Sequence, residues 1–196
     1  MSMNEIFGLP AHPLIIHVPV VLVPAFILML VLYLFVPPLR QRIGWAVATL
    51  SFLAPLATLA GWWSGHDFYD QHVEMISGAG ADPAIFQGML ADHLAYGDVL
   101  LWLVPPMSVL FWLFAGLDRG RRAAAARAAE NAPPPNAEGE TPPAPPADPA
   151  RRGRFIVMLV LGALLLGTSG AAGWYVYQTG HTGAKVVWDT PKPDGG

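Results

Sequence analysis

The chain has no cysteine, and that absence removes disulfides, thiolate metal sites, iron–sulfur clusters and covalent c-type haem attachment. A bound metal or haem would have to be held by histidine, carboxylate, methionine or backbone oxygen. Charge is scarce as well: 13% of the residues are Asp, Glu, Lys or Arg, against roughly 25% in ordinary soluble chains. Lysine occurs only at Lys185 and Lys192. No glycine loop suited to phosphate, no His-x-x-x-His or Glu-x-x-His pair and no nucleophile–base arrangement is present, so no enzyme class is indicated. Nothing points to nucleic acid, because the arginines flank apolar segments and a linker.

What the chain does have is apolar length. It is 54% hydrophobic, in blocks that approach or exceed the roughly 20 residues a bilayer requires. The blocks run Leu14–Val36, Ile43–Trp63, about Leu94–Leu117 and Phe155–Tyr177. The first is read as a retained helix: no basic residue precedes it, no small-x-small cleavage site follows, and its apolar core is too long for a secretion signal. The sequence therefore predicts an all-α fold, a four-span transmembrane helical bundle in contact with the lipid bilayer. Residues 1–118 would carry the first three spans with an outer loop over 66–92. Residues 119–153 would form a linker, 154–181 the fourth span and 182–196 an outer tail.

Orientation follows from the arginines. Arg40 and Arg42 lie between spans one and two, and Arg119, Arg121, Arg122, Arg127, Arg151, Arg152 and Arg154 lie between spans three and four. The positive-inside rule makes both loops cytoplasmic, which puts both termini outside. In a bacterium that means the inner membrane, with periplasmic termini. The stretch 119–153 is Ala-, Pro- and Arg-rich with almost no large apolar residue. It predicts a short helical extension near Arg121–Glu130 and then a disordered, partly polyproline tether. Between spans two and three, Asp82 followed by Pro83 predicts a helix start, with Phe86, Met89, Leu90, His93 and Tyr96 on one face. Gly61 and Gly65, and Gly162, Gly167, Gly170 and Gly173, suit close helix packing, with approach to a flat ligand as the lesser alternative.

The six histidines, His12, His17, His66, His72, His93 and His181, all fall at the outer level of this topology. His12-Pro13-Leu14-Ile15-Ile16-His17-Val18-Pro19 is the most specific string. Pro13 suits a first helical turn, with His12 at the N-cap or just before it. Pro19 and Pro24 cannot donate to the carbonyls of Ile15 and Val20, which predicts a kink near His17. An ionisable side chain within a span is costly and is a functional candidate. His93 shares that status. Asp98, five residues on, needs a partner: the second ring N–H of a ligating histidine, or a hydrogen bond to Tyr96 or a neighbouring helix. His66 and His181 follow spans two and four, and His72 is expected to be solvated.

The string His12-Pro13 to Pro19, with His93 entering the third span and Gly170, Gly173, Tyr175, Tyr177 and His181 closing the fourth, resembles a bacterial integral-membrane family known as domain of unknown function 2231. The resemblance covers all four spans and leaves out the Pro-rich linker. It implies the topology and the candidate histidines, and no reaction. The chain departs from the family pattern at Thr179-Gly180-His181-Thr182, where His-Gly more often follows directly.

Three readings stay open on the sequence. One is non-covalent haem b for electron transfer, with His17 and His93 as the axial pair and His66, His181 and His12 as further candidates. A second is a zinc or copper site built from His17, His93, His66 and His181 with outer-loop carboxylates. The third is a non-catalytic subunit whose histidines tie helix ends together. A redox partner or other membrane subunits are the partners these readings imply.

Overall fold

Prolines and glycines set where each rod begins and ends. The computed structural model describes residues 5–80, 82–131 and 149–188. It opens on a small hairpin in which β1 (Glu5–Ile6) pairs antiparallel with β2 (Leu9–Pro10). Phe7 and Gly8, at φ 56° and 75°, supply the left-handed pair that such a two-residue turn requires. Hydropathy gives no hint of this hairpin.

Helix α1 (Ala11–Ile15) starts one residue before His12, with Pro10 as the N-cap residue. His12 therefore lies inside the first turn, where Pro13 costs little because the first N–H groups have no helical partner. The chain then turns at Ile16, and α2 (His17–Phe35) follows. Pro19 leaves the Ile15 carbonyl without a helical donor, and Val20 resumes the pattern by donating to Ile16 O at 3.2 Å. Val36, Pro37 and Pro38 end α2, and a 3-10 turn over Pro37–Leu39 leads into α3 (Arg40–Gly78).

The expected outer loop 66–92 is mostly helix. α3 runs fifteen residues past Trp63 to Gly78, because no breaker intervenes before Gly80, whose φ of 76° ends the helix. α4 (Ala84–Glu130) then begins at the Asp82-Pro83 start, with Asp82 Oδ1 accepting from the Ala84 N–H at 2.9 Å. α4 also absorbs the helical extension expected at Arg121–Glu130, and α5 (Pro149–Trp188) extends the fourth span at both ends. The tether proper, residues 132–148, and the tail beyond 188 lie outside the described residues. At the standard rise α3 and α4 are about 58 and 70 Å long, far beyond a hydrocarbon layer of roughly 30 Å. Both therefore project past it.

All four rods are long and apolar enough to cross a membrane. They alternate direction and close a ring: α2 packs on α3 and α5, and α4 packs on α3 and α5. Phe26, Leu30, Val47, Val104, Met107, Phe111 and Leu165 fill the centre. Outside, Leu28, Phe52, Leu56, Trp102, Leu159 and others stand exposed. A soluble monomer does not carry so continuous an apolar surface, and a bilayer covers it.

One end of the ring is closed by an ion cluster. Pro37 and Pro38 have no N–H for the last carbonyls of α2, and Arg40 supplies the missing donors. Its Nε donates to Tyr33 O at 2.8 Å and its Nη2 to Leu34 O at 2.9 Å. Its Nη1 donates to Asp118 Oδ1 of α4 at 2.8 Å, and its guanidinium lies over the Tyr33 and Phe114 rings. Asp118 is fully buried. The α2–α3 corner is thus pinned to α4 through one side chain.

Candidate functional site: a histidine-lined cavity at the opposite end

The antiparallel ring brings the start of α1–α2, the second half of α3, the start of α4 and the end of α5 to one level. There a cavity is lined by His12, His66 and His93 among apolar residues that include Val23, Leu94, Leu100 and Val176. The cavity measures about 100 Å³ and opens to the outside.

Each ring is held by its Nδ1. His93 Nδ1 lies 2.9 Å from Thr179 O of α5, and His66 Nδ1 lies 3.0 Å from Trp62 O. A carbonyl only accepts, so both Nδ1 atoms carry the hydrogen. His12 Nδ1 lies 3.0 Å from Ser64 Oγ, whose own hydrogen goes to Gly61 O at 3.1 Å. Ser64 therefore accepts from His12 as well. In the neutral ring this leaves the Nε2 lone pairs of His12 and His93 free, the arrangement that orients metal-binding histidines.

Glycine seats two of the rings. A Cβ on Gly65 would come within 3.0 Å of His12 Cε1, and one on Gly183 within 2.9 Å of His93 Cε1. Gly61 gives Pro19 the same room, at 3.2 Å. The small residues of α3 are thus a helix contact, as close packing requires. Gly97 and Gly180, also on the cavity wall, would meet nothing within 4 Å and present bare backbone to open space. Gly183→Ala is expected to push the His93 ring off the Thr179 carbonyl, at a cost of about 1 kcal/mol. Thermal unfolding in detergent and a shifted His93 imidazole resonance would show it.

The histidines divide into two groups. His12 and His93 approach each other, ring centroids 6.2 Å apart and planes at 80°. His66 lines the same cavity beside Asp98, its Nε2 3.5 Å from Oδ1. Asp98 finds its partner on α3, where Trp62 Nε1 donates to it at 2.6 Å. His17 is different. It is exposed on the outer face of α2 and is not part of the cavity wall. Of the pair expected from the sequence, His93 lines the cavity and His17 does not, and the ring beside His93 is that of His12. His181 is likewise exposed, stacked on Tyr177 at 5.7 Å. His72, expected in solvent, is half-buried between Phe68 and Phe86, with centroids at 3.9 and 5.8 Å. Sequence reasoning overlooked Ser64, Trp62 and Thr179. Serine and tryptophan give a signal only once a partner is known, and a backbone carbonyl gives none.

The His12 and His93 rings meet edge to face at 6.2 Å, close enough for both imidazoles to serve one ligand in the cavity. A zinc ion needs four ligands, and among the described residues no three His, Asp or Glu converge as a metal site. Two imidazoles without a third converging donor among the described residues could hold a haem iron, since the macrocycle would supply the remaining ligands. The cavity itself, about 100 Å³, is smaller than the roughly 300–1,000 Å³ of small-molecule sites, and bare backbone at Gly97 and Gly180 borders open space. No family model, no curated protein and no solved structure matches the chain, so its chemistry is read from this cavity.

Proposed function

We propose that the protein is a b-type haem carrier of a bacterial inner membrane, with His12 and His93 as axial ligands, that transfers electrons at the outer end of the bundle. The observation that carries this reading is the 6.2 Å spacing of two rings whose Nδ1 positions are already engaged. Haem bound there supplies a one-electron couple. The chain's part is to hold and insulate it. Thr179 O draws on the His93 Nδ1–H and makes Nε2 a stronger donor, while Ser64 fixes the plane of His12. Val23, Leu94 and Leu100 exclude water, which favours the less charged state of the iron. The arginine-bearing end faces the cytoplasm by the positive-inside rule, and the cavity end faces the periplasm. In this reading His12, the first residue of the string that resembles domain of unknown function 2231, is a ligand, and His17 is not.

A second reading has its own support. His12–Ser64 ties α1 to α3 and His93–Thr179 ties α4 to α5, so the same histidines serve a purely structural subunit. One absorbance experiment separates the two. Protein purified in detergent, supplemented with haem and freed of excess, is expected to show a Soret band and α and β bands that sharpen on reduction. A sample still colourless after supplementation defeats the haem reading. Zinc or copper found in it by elemental analysis would mean a metal-ion site, and a metal-free sample would mean helix ties alone.

A further inference from the structure

Among the described residues, the arginine end of the bundle carries more positive charge than negative. Asp118 Oδ1 takes Arg40 at 2.8 Å and Arg121 at 3.3 Å, and Oδ2 lies 3.0 Å from Arg122 Nη2. Three guanidinium groups thus share one carboxylate. The Arg40 and Arg122 side chains are only 9% and 36% exposed. Arg122 Nε is closed off from solvent and has no hydrogen-bond partner among the described residues. Arg42 and Arg119 stand nearby on α3 and α4. Gly162 of α5 faces Phe114 of α4, and the antiparallel packing then brings Arg154 level with Arg122, with Arg151 and Arg152 just beyond. Glu130 is the next described carboxylate along α4, twelve residues and about 18 Å further out. Charge held partly out of water without a counter-ion is costly, and an outside anion relieves it.

We propose that this end binds the headgroup of an anionic phospholipid, with Arg121 and Arg122 on its phosphate. Guanidinium matches a phosphate in shape and in charge. Directly below the arginines, α5 exposes Phe155, Ile156, Leu159 and Val160, an apolar lane that lies where acyl chains run. A phosphate with chains attached meets both features, whereas free phosphate meets only the first. The site is independent of the histidine cavity at the other end.

Native mass spectrometry of the full chain, extracted from bilayers of phosphatidylcholine mixed with phosphatidylglycerol, reads the preference directly. Wild type is expected to retain phosphatidylglycerol selectively. Each arginine near such a surface contributes about 1 kcal/mol, roughly a fivefold change in affinity. The preference should therefore fall about fivefold in Arg121→Gln or Arg122→Gln and by more in the double variant, while Arg127→Gln, further out on α4, leaves it unchanged. Melting in pure phosphatidylcholine checks that the variants fold, since Arg40 still holds Asp118. A double variant that folds and keeps the wild-type preference overturns the proposal. So does a preference abolished by millimolar inorganic phosphate, because that marks a soluble-anion site.

Discussion

Asp118→Ala is expected to destabilise the bundle by about 3–5 kcal/mol, the range for leaving one member of a buried ion pair without its partner. The fully buried carboxylate accepts from Arg40 and Arg121 through Oδ1 and forms an ion pair with Arg122 through Oδ2. Without it three guanidinium groups face one another, and Arg40, only 9% exposed, cannot swing to water without releasing the carbonyls of Tyr33 and Leu34. Those carbonyls follow from the sequence: Pro37 and Pro38 have no N–H to offer them. The damage should therefore spread from an ion pair to the α2–α3 corner. Arg40→Met is expected to cost nearly as much, because Asp118 keeps two arginines while the end of α2 loses its cap. Arg40→Met combined with Asp118→Ala should cost less than the two losses added, since both remove the same pair, though Arg121 and Arg122 stay uncompensated. Equilibrium unfolding of the four proteins in one detergent forms the double-mutant cycle that measures the coupling. A coupling near zero would mean that Asp118 acts by packing alone.

The four rods were readable in the sequence because crossing a bilayer is a property of each segment taken singly. Leu14–Val36 needs no partner to be recognised as apolar and long. Their alternating direction then gathers distant histidines at one end with no further information, and His12, His66 and His93 do meet there. Rotation about each helix axis is harder to read. In a soluble helix the polar face gives the phase, but α2 is apolar all round and offers none. A usable signal did exist. His12 and His17 are five residues apart, roughly 140° around a helix, so one site cannot take both. His12, Ile16, Pro19, Val23, Phe26 and Leu30 recur at intervals of three and four, and this is the face that packs inward. His17 falls off it. The outer helical extensions were lost for another reason: Asp67, Asp70 and Glu74 make Ser64–Gly78 look like a loop to a hydropathy reading, though nothing in that stretch breaks a helix before its glycines. Asp118 carries no signal of its own in the sequence, since its burial depends on an arginine 78 residues away.

The sharpest consequence of that rotation is a reversal among the histidines. His12→Ala and His93→Ala are each expected to abolish haem binding, with no Soret band after supplementation, because one imidazole alone leaves the other side of the iron to water or to nothing. His17→Ala is expected to leave the spectrum unchanged, although His17 stands in the most specific string of the chain. Its ring is exposed on the outer face of α2 and is not part of the cavity wall. His66→Ala should keep the axial pair and shift only the reduction potential, through the imidazole and the Asp98 carboxylate beside the cavity. Loss of helix ties is the competing explanation for the first two variants, and Gln separates it from ligation. Gln hydrogen-bonds to Ser64 Oγ or Thr179 O much as Nδ1 does, so His12→Gln and His93→Gln should fold and melt close to wild type. A glutamine amide is a poor ligand for haem iron, so both should still be colourless. A Soret band that survives His12→Gln and His93→Gln but disappears in His17→Ala would move the axial site to the outer face of α2 and leave the cavity to packing.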